Sequence, residues 1–231
     1  MSNFSIKIFE EIDSTNNYVK THFKDLLHHT VVTSRIQTNG RGRSNHKWES
    51  IDGNLYFSIL LKEDIDYSQL FNVMIKISTS IIRVLSQYDI EASIKYPNDI
   101  LINEKKVAGI LIESSGIEKL DYIVVGVGVN VNQSDFGDLN YKATSIHNEN
   151  KTTLKTSNVL NHILKEFNKN DHSLNEYIGH SMIIGKDICY QDKMYKVKDV
   201  LEDGKLLLVN KEELLKVGIN EISFEEIYRW K

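Results

Sequence analysis

The stretch that determines the fold class runs from Ala92 to Val131 and reads ASIKYPNDILINEKKVAGILIESSGIEKLDYIVVGVGVNV. It contains four apolar runs, Ala92–Lys95, Ile100–Ile102, Val107–Ile112 and Tyr122–Val131. Polar turns at Asn103–Lys105 and Ser115–Asp121 separate the later runs. Connections this short join antiparallel strands that are neighbours in a sheet. The stretch therefore predicts a meander of adjacent antiparallel strands.

Further strands and helices precede and follow this meander. Strands are predicted at 4–12, Thr30–Arg35 and 53–61. Helices are predicted from Asp13, Ser14 or Thr15 to about Leu27, at Ser68–Tyr88 and at Thr156–Asn168. Residues 132–153 are polar and show no periodicity. The pattern indicates an α+β domain.

After Gly179 the pattern changes to short strands alone. These are predicted at Asp187–Tyr190, Met194–Val200, Leu206–Val209, Glu213–Val217 and Ile222–Ile227. Five short strands in so short a segment are typical of a small barrel. We therefore expect a catalytic or binding domain at 1–180 and a barrel-like domain at 181–231.

Composition excludes several classes of protein. The chain has 231 residues, with 28 basic and 32 acidic side chains and a formal net charge of -4. This acidic balance argues against a general nucleic-acid binder. The lone Cys189 cannot form an internal disulfide, so the cytoplasm is the expected location. No apolar run approaches the roughly 18 residues that span a bilayer, so neither a signal peptide nor a membrane anchor is expected.

A basic loop lies between Arg35 and Trp48. It contains no acid and five basic or imidazole side chains, Arg35, Arg41, Arg43, His46 and Lys47. Gly40 and Gly42 allow the main chain to approach a ligand closely, and arginines bind phosphate or carboxylate with paired donors. The loop therefore indicates an anion clamp. The Asn39–Gly40 pair is also typical of a simple hairpin turn.

The only proline of the chain, Pro97, lies in the motif Lys95-Tyr96-Pro97-Asn98-Asp99. Proline ends a strand, so Asn98 and Asp99 should project from the sheet edge. A carboxylate at that position could hold Mg²⁺, which binds one or two carboxylates together with substrate phosphates. The same residue types favour a surface turn, and the local pattern alone favours that turn.

Two further motifs contain glycine within strands. Gly109 follows Lys106 in an apolar run, and Gly126 and Gly128 alternate with valine before Asn130. Glycine weakens a strand unless a ligand or another main chain must come close. The second motif is no dinucleotide fingerprint, because Val131 occupies the third glycine position and no helix pattern follows. We expect a flat ligand to lie against these glycines.

Taken together, the motifs resemble the biotin protein ligases over nearly the whole chain. The matching segments are Asp13–Asn17, Gln37–Arg43 with Trp48, Gly53–Tyr56, Lys95–Asp99, Lys106–Leu111 and Gly126–Asn130. The resemblance implies a mixed, largely antiparallel sheet with flanking helices, like that of class II aminoacyl-tRNA synthetases and biotin ligases. A small SH3-like β-barrel is implied after this sheet.

The resemblance also implies a two-step activity. Biotin and Mg-ATP would give biotinoyl-5′-AMP and pyrophosphate. Biotin would then pass to a lysine of the biotin carboxyl carrier domain of acetyl-CoA carboxylase or pyruvate carboxylase. The basic loop would order over the adenylate and exclude water from it.

Site residues follow from the same resemblance. The implied catalytic residues are Lys106, Arg41 and Arg43. The implied biotin-binding residues are Ser14, Thr15, Asn16, Gln37, Gly40, Arg41, Gly42, Arg43, Trp48, Lys106, Gly109, Ile110, Gly128 and Val129. The implied ATP-binding residues are Arg41, Arg43, Lys95, Asn98, Asp99, Lys106 and Asn130, and Asp99 is also the implied metal ligand.

Two departures from the family pattern are visible. Tyr96 stands where many members have tryptophan, so the aromatic character is kept. The Ser-Thr-Asn motif begins at Ser14, which leaves too little chain for the DNA-binding domain of bifunctional members. We therefore expect the monofunctional class, without DNA or membrane partners, and an exposed sheet edge that could pair two copies. Two alternatives stay open, a lipoate–protein ligase and a non-catalytic regulator that binds biotin or a nucleotide.

Overall fold

The computed structural model describes residues 4–43, 46–62, 66–116, 119–139 and 142–222. A seven-stranded sheet forms its centre. The strands are β1 (Ser5–Ile12), β2 (Thr30–Gln37), β3 (Leu55–Leu61), β4 (Ser93–Lys95), β5 (Asp99–Ile102), β6 (Lys105–Gly116) and β7 (Leu120–Val129). Their spatial order is β1-β2-β3-β7-β6-β5-β4.

Pairing in this sheet is mixed. Strands β1 and β2 are parallel, and every other neighbouring pair is antiparallel. The run from β4 to β7 is the meander predicted from residues 92–131, which is therefore confirmed. The edges of the sheet are β1 and β4. A dimer through such an edge stays a prediction.

Helices cover both faces of the sheet. They are α1 (Thr15–His22), α2 (Leu70–Ser86), α3 (Ile146–Asn150), α4 (Thr156–Phe167) and α5 (Leu174–His180), with short 3₁₀ turns at Tyr67–Gln69, Gly137–Leu139 and Ile219–Glu221. Because strand side chains alternate between faces, Val125 packs in the core beneath α2 and α4, whereas Val124 packs against the α1 face. No helix in the described part of the chain is long and apolar enough to cross a membrane.

A second, four-stranded antiparallel sheet follows α5. Its strands are β8 (Asp187–Tyr190), β9 (Lys193–Val200), β10 (Leu206–Val209) and β11 (Leu214–Val217), in the order β11-β10-β9-β8. Four of the five predicted strands are confirmed within one residue. The fifth, Ile222–Ile227, lies outside the described residues except for Ile222. One apolar core includes Ile188 and Leu208 together with Ile100, so the two sheets are packed together. The boundary near residue 180 stays a prediction.

The helices differ from the prediction at three places. Helix α1 ends at His22 instead of Leu27, because the chain then turns and returns Thr30 to lie beside Ser5. Two short helices, α3 and α5, were not predicted. Each begins with a serine whose hydroxyl accepts a main-chain N–H, Ser145 and Ser173. Segments of five and seven residues are too short to show a helical period.

Candidate active site

Most of the predicted site residues surround a small cavity on the α1 face of the seven-stranded sheet. Its volume is about 50 Å³. The lining residues are Ser14, Thr15, Asn16, Gln37, Arg41, Gly42, Arg43, Trp48, Asn98, Lys106, Gly109, Ile110, Leu111, Gly126, Val127 and Gly128. The topology brings them together because β6 and β7 are neighbours and the start of α1 lies above them.

The floor of the cavity is formed by main-chain atoms at positions that have no side chain. Gly109 of β6 pairs with Gly128 of β7, and the indole of Trp48 lies directly across both. A Cβ atom at Gly109 would lie 2.6 Å from Trp48 Cζ3, and one at Gly128 would lie 2.5 Å from Trp48 Cε2. These separations leave no room for a side chain at either position. The ring thus covers the surface that the sequence assigns to a flat ligand.

The indole nitrogen of Trp48 is buried and has no hydrogen-bond partner among the described residues. Ligand pockets usually enclose about 300 Å³ or more, several times the volume of this cavity. A bicyclic ligand can therefore reach the glycine floor only when Trp48 moves away. That movement would also relieve the unpaired N–H.

One wall of the cavity is polar, and its side chains are hydrogen-bonded to Ser58 and Glu113, which lie behind it. The main-chain N–H of Thr15 donates to Gln37 Oε1 at 2.9 Å, and the Thr15 hydroxyl lies 3.1 Å from the same oxygen. The Ser58 hydroxyl lies 2.8 Å from Thr15 Oγ1 and 2.6 Å from Asn16 Oδ1. Asn16 Nδ2 donates to Glu113 Oε2 at 2.8 Å. Ser14 caps α1 and so fixes where this wall begins.

Three cationic side chains converge on the cavity, and each has a partner. Arg41 lies 3.0 Å from Asn17 Oδ1 and 3.3 Å from Glu113 Oε1. Arg43 donates to Asn98 Oδ1 at 2.9 Å. Lys106 Nζ lies 2.7 Å from Asp99 Oδ1 and 5.1 Å from the centre of the Trp48 ring. An anionic ligand in the cavity would replace these internal partners of Arg41, Arg43 and Lys106.

The segment around Pro97 is held from the second sheet and from α5. The Tyr96–Pro97 peptide bond is cis. The buried Tyr96 hydroxyl donates to the carbonyl of Gly204, and the Tyr177 hydroxyl donates to the carbonyl of Pro97 at 2.7 Å. These contacts fix the turn that presents Asn98 and Asp99.

Several residues implied by the resemblance lie outside the cavity lining. Gly40 accepts the main-chain N–H of Trp48 at 3.0 Å. Lys95 ends β4 opposite Asp99, and the Asn130 amide donates to the carbonyl of Thr144 at 3.0 Å. Asp99 and Val129 also lie outside the lining, and the Val129 side chain belongs to the core on the α2 face. Ile110 lines the cavity, but its side chain belongs to the same core, so only its main chain can face a ligand on the α1 face.

Arg35 also lies apart from the cations of the cavity. It forms surface ion pairs with Glu10 and Asp52, both at 2.8 Å. Of the three arginines in the loop, Arg41 and Arg43 line the cavity and Arg35 does not, and the anion clamp itself stays a prediction.

Sequence reasoning missed Ser58 and Glu113. Glu113 continues the alternation of Gly109 and Leu111 along β6, which places all three on one face. That spacing was visible in the sequence. The contacts of Glu113 with α1 were not visible there, because they join residues more than ninety positions apart.

The residues present are consistent with a magnesium ion that arrives with a nucleotide. No group of three or more His, Cys, Asp or Glu side chains in the described residues could hold a metal. Asp99 is one carboxylate beside the cavity, partly exposed, with the Asn98 amide 3.2 Å away. Mg²⁺ is commonly bound by one or two carboxylates plus substrate phosphates, so this donor set fits.

A model of the biotin/lipoate A/B protein ligase family matches residues 8–130, more than half of the chain. The chain belongs to this family. Together with the relatives and the solved structure described next, this match confirms the resemblance to biotin protein ligases.

Curated relatives match a little over half of this biotin ligase family member. It is 36% identical over 146 residues to the bifunctional ligase/repressor BirA of Bacillus spizizenii, which covers 61% of the chain and 45% of the relative. It is 33% identical over 129 residues to the biotin–[acetyl-CoA-carboxylase] ligase of Paracoccus denitrificans, which covers 52% and 51%. The chain thus spans about half the length of these curated relatives.

The fold of this family member agrees with a solved structure over almost the whole chain. The biotin protein ligase from Aquifex aeolicus in complex with biotin and ATP matches with a TM-score of 0.77 and 26% identity, over 95% of this chain and 97% of that one. The predicted fold class, a mixed sheet with flanking helices followed by a small second β unit, is confirmed.

Proposed function

We propose that this chain is a biotin–protein ligase that activates biotin with Mg-ATP and transfers it to a lysine of a biotin carboxyl carrier domain. The observation that carries the proposal is the convergence of Arg41, Arg43 and Lys106 on a cavity with a glycine floor. A carboxylate and a triphosphate repel one another, so a site that joins them needs several cations.

Biotin binding uses the floor and the polar wall. The fused rings would take the place of the Trp48 indole on Gly109 and Gly128. The cyclic urea would meet Thr15 and Gln37, whose polar atoms line the cavity. The carboxylate at the other end of biotin would meet Lys106. Membership of the family and the biotin-bound relative support this arrangement.

In the first step, a carboxylate oxygen of biotin attacks the α-phosphorus of ATP. A new bond forms between that oxygen and phosphorus, and the bond to the bridging oxygen of pyrophosphate breaks. Magnesium, held by Asp99 and the phosphates, would offset charge on the leaving group. Lys106, Arg41 and Arg43 would stabilise the negative charge that builds up, and loss of one such donor typically lowers a rate by about 10²–10³-fold.

In the second step, the amine of the acceptor lysine attacks the acyl carbon and AMP leaves. The mixed anhydride must be kept from water until the acceptor arrives. The Gly/Arg segment, Gly40–Arg43, lies at the cavity and is linked across it by the bond from Arg43 to Asn98. It would hold the adenylate in place. The acceptor is a carrier domain of acetyl-CoA carboxylase or pyruvate carboxylase, in the cytoplasm.

The test incubates the pure protein with biotin, Mg-ATP and a biotin carboxyl carrier domain, and detects labelled acceptor with streptavidin. We expect labelling that depends on ATP and on the acceptor lysine, with one pyrophosphate released per label. Biotin binding without pyrophosphate release would establish a non-catalytic regulator instead. Labelling with lipoate in place of biotin would establish the lipoate ligase.

A further inference from the structure

Glu113 lies outside the cavity and has no place in the reaction described above. It is nevertheless bound by donors from two other elements. Asn16 Nδ2 lies 2.8 Å from Oε2, Lys20 Nζ lies 2.7 Å from Oε1, and Arg41 lies 3.3 Å from Oε1. One carboxylate thus joins β6 to α1 and to the Gly/Arg segment.

Hydrogen-bond direction in the polar wall follows from this carboxylate. An ionised carboxylate only accepts, so Asn16 must turn its Nδ2 toward Glu113 and its Oδ1 toward Ser58. Oδ1 also only accepts, so the single hydroxyl hydrogen of Ser58 is directed to Asn16 across 2.6 Å. Ser58 then has no hydrogen left for Thr15, which lies 2.8 Å away.

This order leaves the oxygen of Thr15 as an acceptor. Its own hydrogen can go to Ser58 Oγ or to Gln37 Oε1, and its lone pairs remain for an N–H group in the cavity. In Glu113→Gln, an Nε2 group turned toward Asn16 would repel Asn16 Nδ2 and favour reversal of the Asn16 amide, against the weaker contact of Nδ2 with the carbonyl of Leu111 at 3.4 Å. Ser58 would then donate to Thr15 and occupy a lone pair of Thr15 Oγ1 that a ligand N–H could otherwise use.

The charge that this order requires is present at neutral pH. Burial opposes ionisation of Glu113, but hydrogen bonds from Lys20 and Asn16 and the charges of Lys20 and Arg41 outweigh it, so the pKa of the carboxyl lies below its ordinary value.

We propose that Glu113 is a positioning residue for the ligand's cyclic urea, acting through Asn16 and Ser58 to keep Thr15 an acceptor for a urea N–H. This inference rests on the proposed function, because the urea is that of biotin. Glu113 and Ser58 themselves do not line the cavity.

The test measures the biotin dissociation constant by isothermal titration calorimetry without ATP, for wild type, Glu113→Gln, Ser58→Ala and the double variant. We expect Glu113→Gln to weaken biotin binding by about tenfold or more, as is usual when a buried hydrogen-bonding group is left unmatched. Ser58→Ala alone should stay within about twofold of wild type, because it removes no acceptor from Thr15. In the Ser58→Ala background, Glu113→Gln should add less than about twofold, because no Ser58 hydrogen is left to be redirected to Thr15. A role only in stability would instead give additive effects.

Glu10→Gln is the matched control. Glu10 also pairs with an arginine, Arg35, but on the exposed surface away from the cavity. Its biotin affinity should stay within about twofold of wild type. Biotin binding by Glu113→Gln that equals wild type, or fully additive effects in the double variant, would overturn the inference.

Two further outcomes separate this inference from the proposed function. If the wild-type protein binds no biotin, the proposed function fails, and the role of Glu113 fails with it. If Glu113→Gln does not fold, as judged from its thermal unfolding, Asn16→Ala replaces it, because it also frees the Ser58 hydrogen for Thr15. Adding Ser58→Ala to Asn16→Ala should then restore part of the lost biotin affinity, and no restoration would overturn the inference.

Discussion

The ammonium group of Lys106 lies 2.7 Å from the carboxylate of Asp99. The proposed reaction needs both groups for other partners, Lys106 for the biotin carboxylate and Asp99 for magnesium. The ion pair therefore competes with each of these ligands, and release of one group frees the other. Binding of biotin and of Mg-ATP should be mutually favourable for this reason.

Asp99→Asn tests this competition. The amide leaves Lys106 without its anionic partner, so biotin binding in the absence of ATP should be as tight as in wild type or tighter. Pyrophosphate release should fall by about 10²-fold, and its half-maximal Mg²⁺ concentration should rise. Calorimetry and a coupled pyrophosphate assay measure the two effects. Loss of biotin affinity in Asp99→Asn would contradict the competition.

Arg43→Gly should form the adenylate and release it. The guanidinium of Arg43 donates to Asn98 across the cavity, and glycine removes that link while Arg41 and Lys106 remain. Biotinoyl-AMP that passes a filter is measured against time in the absence of acceptor. Retention equal to wild type would show that the Arg43–Asn98 bond does not hold the intermediate.

Gly128→Ala should weaken biotin binding by about tenfold or more, since an added Cβ occupies the floor on which the rings lie. It should also change tryptophan fluorescence, because the Trp48 indole can no longer rest there. Gly179→Ala is the control, because a Cβ at Gly179 meets no atom within 4 Å. Wild-type affinity in Gly128→Ala would place the ligand elsewhere.

Tyr96→Phe should lower the free energy of unfolding by about 1–2 kcal/mol, because the buried carbonyl of Gly204 loses its donor. Urea denaturation measures the change. Tyr67→Phe, which removes a similar but exposed bond to the carbonyl of Gly116, should cost less. Equal costs at the two positions would show that the link between the two sheets contributes little.

Stability should fall between pH 7 and pH 5, in part through His172. Burial lowers the pKa of His172 below its ordinary value of 6.5. As the pH falls through that value, the unfolded chain takes up a proton that the folded chain does not, so the unfolded state is favoured. His172→Gln should reduce the slope of the urea midpoint across this window. An unchanged slope would assign the loss to other groups.

Hydrophobic periodicity and connection length predicted the elements whose formation depends on neighbouring residues in the sequence. The meander at 92–131 and the helix at 156–167 have clear periods and short connections, and both were placed within a few residues. The parallel pairing of β1 with β2 has no local signal, because it depends on where the chain returns after α1.

The site shows the same division. Arg41, Arg43 and Lys106 were identified from motifs that resemble the family, and the structure brings all three to one cavity. Their internal partners were not identified from the sequence. The bond from Glu113 to Asn16 and the position of Trp48 across the glycines depend on how distant segments meet, which a motif does not record.

The alternation along β7 also limits how the proposed ligase could be redesigned. Gly126 and Gly128 face the cavity, while Val125, Val127 and Val129 between and beside them belong to the core. Substitutions in β7 offer no way to accept a bulkier or differently shaped label. The glycine positions have no side chains to shorten, and the valine positions support the fold. New specificity would have to come from Thr15 and Gln37 in the polar wall and from Trp48, which covers the floor.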